Sequence, residues 1–197
     1  MFIELADHLR CPADHPEQFL VLLPGRMVDR SVREGVLGCP VCGREFALED
    51  GVLDVGGGPG DVRDSALDAD AAVALAGLSG PGGYVAVAGG LGARHEELAA
   101  ALPGIRIAAV NPPPSVEDGG EFSVLRGGML PLRSSSMRGV FLGPGFGGDP
   151  HWIAEALRVT LSGLRIVGEG DAPDTPDIEV LASAGGCWVG AKMRNRL

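Results

Sequence analysis

Apolar and polar positions follow two different rhythms along the chain. In the first 55 residues the apolar runs are short: FLVLLP (19–24), GVLGCPVCG (35–43) and GVLDV (51–55). Each is bounded by Gly, Pro or charged residues, which predicts short strands joined by turns. VGGGPGD (55–61) then reads as a flexible linker. Beyond it the rhythm lengthens. Residues 62–78 are good helix formers and predict a helix stopped by SGPGG (79–83). YVAVA (84–88) predicts a strand, a glycine turn follows, and RHEELAAAL (94–102) predicts a helix. IRIAAV (105–110), EFSVLRG (121–127), GVFLG (139–143) and LRIVGEG (164–170) predict four more strands, with LPLRSSSM (130–137) a short helix or loop. PHWIAEALRVTL (150–161) is amphipathic at helical spacing. The closing IEVLASAGGCWVGAKM (178–193) predicts a hairpin turning at Gly185–Gly186. Strands alternating with helices predict an α/β, Rossmann-like, mostly parallel sheet ending in an antiparallel hairpin. The expected organisation is a small β-rich module over 1–57 and a larger α/β domain over 62–197.

The remaining chemistry narrows the classes. The chain has 197 residues and a net charge of −10, and no apolar run approaches the roughly 18 residues of a membrane span. The N-terminus lacks the basic-then-apolar order of a signal peptide, so a cytoplasmic protein is expected. Nucleic-acid binding normally shows a basic patch. Here only Arg26, Arg30 and Arg33 cluster, apart from the C-terminal KMRNR (192–196). Direct nucleic-acid binding is therefore not expected.

Three of the four cysteines fall in the first 42 residues. Disulfides are disfavoured in a reducing compartment, which leaves metal binding. CPVC (39–42) places Cys39 and Cys42 two residues apart, a knuckle able to grip one zinc ion. LRCPADHPEQF (9–19) supplies Cys11 and a fourth ligand. His15 is the more usual zinc ligand, whereas Asp14 keeps the knuckle spacing, and His8 is an outside choice. A module of this length has a thin core, so metal would contribute directly to its folding.

In the second segment the turn after residue 88 offers Gly89, Gly90 and Gly92, which let a backbone approach a ligand closely or simply connect strand to helix. Ligands of parallel sheets bind beyond the carboxyl ends of the strands, where GPGFGGDPHW (143–152) falls. Asp149 and His151 are the catalytic candidates there, His151 as a general base. The competing reading makes Asp149 a helix cap with Pro150 at the first helical position. His95 reads as a helix-surface residue and Cys187 as strand core. The turn lacks a full G-x-G-x-x-G with a following acid, and no G-x-S-x-G elbow is present. Those absences argue against a nicotinamide enzyme and a serine hydrolase.

Two resemblances follow. LRCPADHPE…GVLGCPVCGREFALEDGVLDV, over residues 3–55, resembles the small zinc-ribbon family that activates methyltransferases, with Asp14 where that family has a second cysteine. GGMLPLRSSSMRGVFLG, EALRVTLSGLRIVGEG and GGCWVGAKM, in that order, resemble class I S-adenosylmethionine-dependent methyltransferases. This resemblance implies a cofactor held by Gly89, Gly90, Gly92 and Asn111. Asn111 stands where the family has a ribose-binding acid, and three further anchor positions also depart, around Val87–Ala88, Gly127–Gly128 and Met137–Arg138. It further implies that the usual helix between the fifth strand and the closing hairpin is absent. The expectation is a methyltransferase-like protein, with S-adenosylmethionine binding and activity weakened or lost. The alternative is a non-catalytic scaffold acting through a protein partner or a second copy of itself.

Overall fold

The computed structural model describes residues 1–59 and 62–193. Gly60 and Asp61 of the predicted linker, and residues 194–196 of the basic C-terminal run, lie outside the described residues. All described strands belong to one eleven-stranded sheet.

The first four strands are an antiparallel meander: β1 (Val21–Val28), β2 (Ser31–Gly38), β3 (Glu45–Glu49) and β4 (Val52–Asp54). A 3-10 turn over Ile3–His8 precedes them. The second segment contributes β5 (Tyr84–Ala88), β6 (Arg106–Val110), β7 (Phe122–Arg126), β8 (Val140–Leu142) and β9 (Arg165–Glu169), all parallel to one another. The hairpin of β10 (Ile178–Ala184) and β11 (Cys187–Lys192) turns at Gly185 and Gly186, both at positive φ (60° and 76°), and β11 inserts antiparallel beside β9. The sheet order is β1-β2-β3-β4-β7-β6-β5-β8-β9-β11-β10. The parallel part reverses direction at β5, the doubly wound arrangement whose ligands sit beyond the carboxyl ends of the strands.

The strands of the parallel part are apolar at successive positions because both faces are covered. Val85 and Val87 face the layer of α1 (Ala69–Ala76) and α2 (His95–Ala101), while Ala86 and Ala88 face α3 (Pro150–Val159). Residues 130–137 are a loop, one of the two conformations expected. The first segment is not a separate lobe in packing terms. β4 pairs in parallel with β7 (Leu53 opposite Leu125), and Leu5, Leu9, Leu37 and Leu48 share one core with Leu125, Leu130 and Ile153. The thin isolated core expected of a small module is thus a continuous one.

The helix expected over 62–78 is shorter. It runs only over Ala69–Ala76, because the Asp68 carboxylate accepts the Ala71 N–H at 2.7 Å as an N-cap and Gly77 ends it in the left-handed region. Residues 62–67 instead have no regular secondary structure and cross the carboxyl ends of the strands. No helix occupies 170–177 between β9 and β10, as the resemblance implied.

Candidate functional site

Two regions bring chemistry-bearing residues together. The first is built from two loops. The β2–β3 turn closes through Gly43 N–H donating to the Cys39 carbonyl at 2.9 Å, with Gly43 at φ 70°, and so presents Cys39 and Cys42 side by side. The loop 11–18 closes through Cys11 N–H donating to the Gln18 carbonyl at 2.8 Å, which turns Cys11 and His15 toward them.

The ligand atoms of Cys11, His15, Cys39 and Cys42 all lie within 4.8 Å of one another. Cys11 Sγ is 3.7 Å from Cys42 Sγ, and His15 Nε2 is 3.4 Å from Cys39 Sγ. A tetrahedral ion with metal–sulfur bonds of ~2.3 Å and a metal–nitrogen bond of ~2.0–2.1 Å needs S–S and S–N edges of ~3.8 and ~3.5 Å, so the donor set fits zinc. His15 Nδ1–H donates to the Pro16 carbonyl at 2.7 Å, which leaves the Nε2 lone pair facing the sulfurs. Burial opposes charge at Cys39, yet backbone N–H groups of Cys42 and Val41 donate to its sulfur and bring the thiol down to about 6. Burial beside the other two thiols pushes Cys11 up to about 11. Asp14 is exposed and outside the cluster. His8 is elsewhere, packed at a tilt of 56° against Tyr84 with ring centroids 4.9 Å apart.

The metal loop is tied to the α/β segment. Arg10 N–H donates to the Pro131 carbonyl at 3.1 Å. Glu17 accepts the Ser134 hydroxyl at 2.6 Å and also pairs with Arg158 of α3 at 3.6 Å.

The second region lies beyond β5, β6 and β7, where the resemblance places a cofactor. Its β5 end is covered by the protein itself. The Arg63 carbonyl and Ser65 N–H lie directly over Gly90, where a Cβ would overlap Arg63. The Phe146 ring stands where a Gly89 Cβ would be, 2.6 Å from that position, with Gly89 at φ 82°. Gly92 packs on Pro112 in the same way, at 2.9 Å. The three glycines therefore admit protein atoms. Asn111, at φ 50° and 4% exposed, spends its side-chain amide on Gly127, donating to its carbonyl at 2.8 Å and accepting its N–H at 3.0 Å. One N–H and one oxygen lone pair of the amide are thereby taken up by Gly127. In this conformation protein atoms cover Gly89, Gly90 and Gly92, while Asn111 lines an open cleft of ≈ 470 Å³ with Asp54, Gly58, Pro112 and Arg126.

The catalytic candidates are likewise committed to structure. Asp149 caps α3 by accepting the His151 N–H at 2.8 Å, with Pro150 beginning the helix. His151 Nε2–H donates to the Gly128 carbonyl at 2.8 Å, so that nitrogen is not a base. A second, shallow cleft of ≈ 550 Å³ nearby is lined by Arg63, Gly145, Asp149, Glu169 and Asp171.

Residues 62–67 are held there by a residue the sequence reading passed over. Glu169, at the end of β9 and 7% exposed, accepts the Ser65 hydroxyl at 2.5 Å and the Ala66 N–H at 2.8 Å. An acid closing an apolar strand, in LRIVGEG, was the available signal.

No protein-family model matches the sequence. No curated protein does either. Among solved structures, the chain is similar in part to methyltransferases. One is geranyl diphosphate C-methyltransferase from Streptomyces coelicolor A3(2), bound to Mg2+, geranyl-S-thiolodiphosphate and S-adenosyl-L-homocysteine (18% identity, 51% of this chain and 41% of that one, TM-score 0.44). Another is a complex of the Haloferax volcanii Trm112 methyltransferase activator with a putative methyltransferase (23% identity, 55% and 61%, TM-score 0.40). A third is a methyltransferase from Geobacter sulfurreducens (12% identity, 65% and 80%, TM-score 0.44). The chain spans 41% and 61% of the first two. At these scores the similarity is one of partial layout. Among the described residues no helix is long and apolar enough to cross a membrane.

Proposed function

We propose that this chain is a methyltransferase-like α/β protein that has exchanged its cofactor for its own polypeptide and acts by binding a protein partner. The observation that carries the reading is the backbone of Arg63–Ser65 lying on Gly90, latched by Glu169. A cofactor loop needs its glycines free so that ligand can approach. Here the same absence of side chains accommodates residues 62–67. The Asn111–Gly127 pair supports the reading independently, since it engages internally the position where a ribose contact is expected.

In this account zinc at Cys11, His15, Cys39 and Cys42 is structural: four protein ligands leave no open position for chemistry. It would fix the 11–18 loop and, through Arg10 and Glu17, the 130–134 loop and α3. Equilibrium dialysis against labelled S-adenosylmethionine tests the functional reading. Retention of label by the purified, metal-loaded chain would return it to the enzymes.

A further inference from the structure

The eight residues between β9 and β10 (170–177) contain no helix, and α1 and α2 lie on the opposite face of the sheet. One flank of α3 is consequently without a helical neighbour. Pro150, Ile153, Ala154 and Leu157 line that flank at i, i+3, i+4 and i+7, the spacing at which one helix receives another. Ala172 and Pro173 form the opposite wall, and the groove between encloses ≈ 360 Å³. Ala154 sits exposed midway along the stripe and lines the groove.

The charge around the groove is of one sign. Asp171, Asp174 and Asp177 line it, all exposed, and no Lys or Arg is among its described lining residues. We propose that this groove is a docking site for a basic amphipathic helix of a partner protein. Its apolar residues at i, i+3 or i+4, and i+7 would lie along Ile153, Ala154 and Leu157, and its flanking Lys or Arg would face the three aspartates. Apolar contact supplies the affinity, and the aspartates set orientation and on-rate. The groove adjoins the cleft at the end of β9, sharing Gly148, Pro150 and Asp171 with it, while Gly90 is not among its lining residues.

The test uses the full metal-loaded chain and a fluorescein-labelled peptide of ~14 residues, about four helical turns, with Leu at i, i+3, i+4 and i+7 and Lys on its flanks. Anisotropy should show saturable binding, weakened by salt and lost when the peptide's Lys are replaced by Glu. Ala154→Phe fills the groove without changing charge and should weaken binding at least about tenfold, with circular dichroism and melting temperature unchanged. The double variant Asp174→Asn/Asp177→Asn, on an exposed loop, should weaken binding and flatten its salt dependence. Equal affinity in Ala154→Phe, or no saturable binding, overturns the proposal. Self-association abolished by Ala154→Phe would give the groove to a second copy of this chain instead. Tighter peptide binding after ending the chain at Met193 would give it to residues 194–197.

Discussion

The carboxylate of Glu169 receives the hydroxyl of Ser65 at 2.5 Å, joining residues 104 apart in sequence across the carboxyl end of the sheet. Glu169 also accepts Ala66 N–H, so one buried acid holds the 62–67 segment at two points. Hydrogen bonds to a charged group contribute about 1.5–3 kcal/mol. Glu169→Ala should therefore lower global stability by roughly that amount and release residues 62–67 first. Hydrogen exchange at Ala66 and tryptic cleavage after Arg63 would both rise, while exchange in β5 and β6 would change far less.

The same contact predicts a glycine effect. Gly90→Ala places a methyl group against the Arg63 carbonyl, and overpacking of this kind costs about 1–3 kcal/mol. Gly119→Ala meets nothing within 4 Å and serves as the control, expected within about 0.5 kcal/mol of the parent. Urea unfolding of both separates a blocked loop from a general intolerance of alanine.

Metal analysis should find one zinc per chain. Cys39→Ser, Cys42→Ser and His15→Ala should each reduce it, while Asp14→Asn and Cys187→Ser retain it, since neither Asp14 nor Cys187 belongs to the cluster. Chelation should lower the melting temperature, because an ion bound only to the folded state at 100 times its dissociation constant adds about 2.7 kcal/mol. The core shared between the first segment and α3 predicts that the metal-free chain keeps the β5–β9 sheet.

Acid should destabilise the protein partly through His8. Burial lowers its pKa from the ordinary 6.5, with Arg133 adding to the effect and Asp7 opposing it. Below 6.5 the unfolded chain takes up a proton that the folded chain does not, so stability rises with pH through this window. It should fall as pH drops below 6.5, then level once the folded group is also protonated. His8→Gln should flatten that part of the stability profile.

The Met1 ammonium is buried against Asp118 at 2.7 Å, with Arg33 Nη1 3.2 Å from the same carboxylate oxygen. Removing one partner of such a pair leaves a buried charge uncompensated, at a cost of about 3–5 kcal/mol. Asp118→Ala should lose that much in denaturant unfolding, and Asp118→Asn somewhat less because the amide still accepts hydrogen bonds.

Local signals were readable before the fold. Tyr84–Ala88 is a strand because five successive apolar residues face helices on both sides, and Asp149–Pro150 begins α3 as a cap and first-turn proline do elsewhere. Each half of the Cys11, His15, Cys39 and Cys42 grouping was legible because its spacing is local, although His15 is set apart from Asp14 only by which side chain lies within the cluster. What sequence withheld was long-range. Residues 62–67 have helical propensity but are drawn off by Glu169, a partner about a hundred residues away. Asn111 read as a weakened ribose contact, and only the placement of Gly127 shows that its amide also braces the neighbouring loop. The β4–β7 pairing, which merges the two predicted modules, depends on register between strands some seventy residues apart and leaves no local mark.

The account stands or falls on whether the strand ends around Gly90 accept an adenosyl ligand. Isothermal titration of the metal-loaded chain with S-adenosylmethionine, and separately with S-adenosylhomocysteine, measures this directly. We predict no binding heat at millimolar ligand, for the chain and for Gly90→Ala alike. Saturable micromolar binding by the unmodified chain, lost in Gly90→Ala, would contradict the account and show that residues 62–67 yield to cofactor.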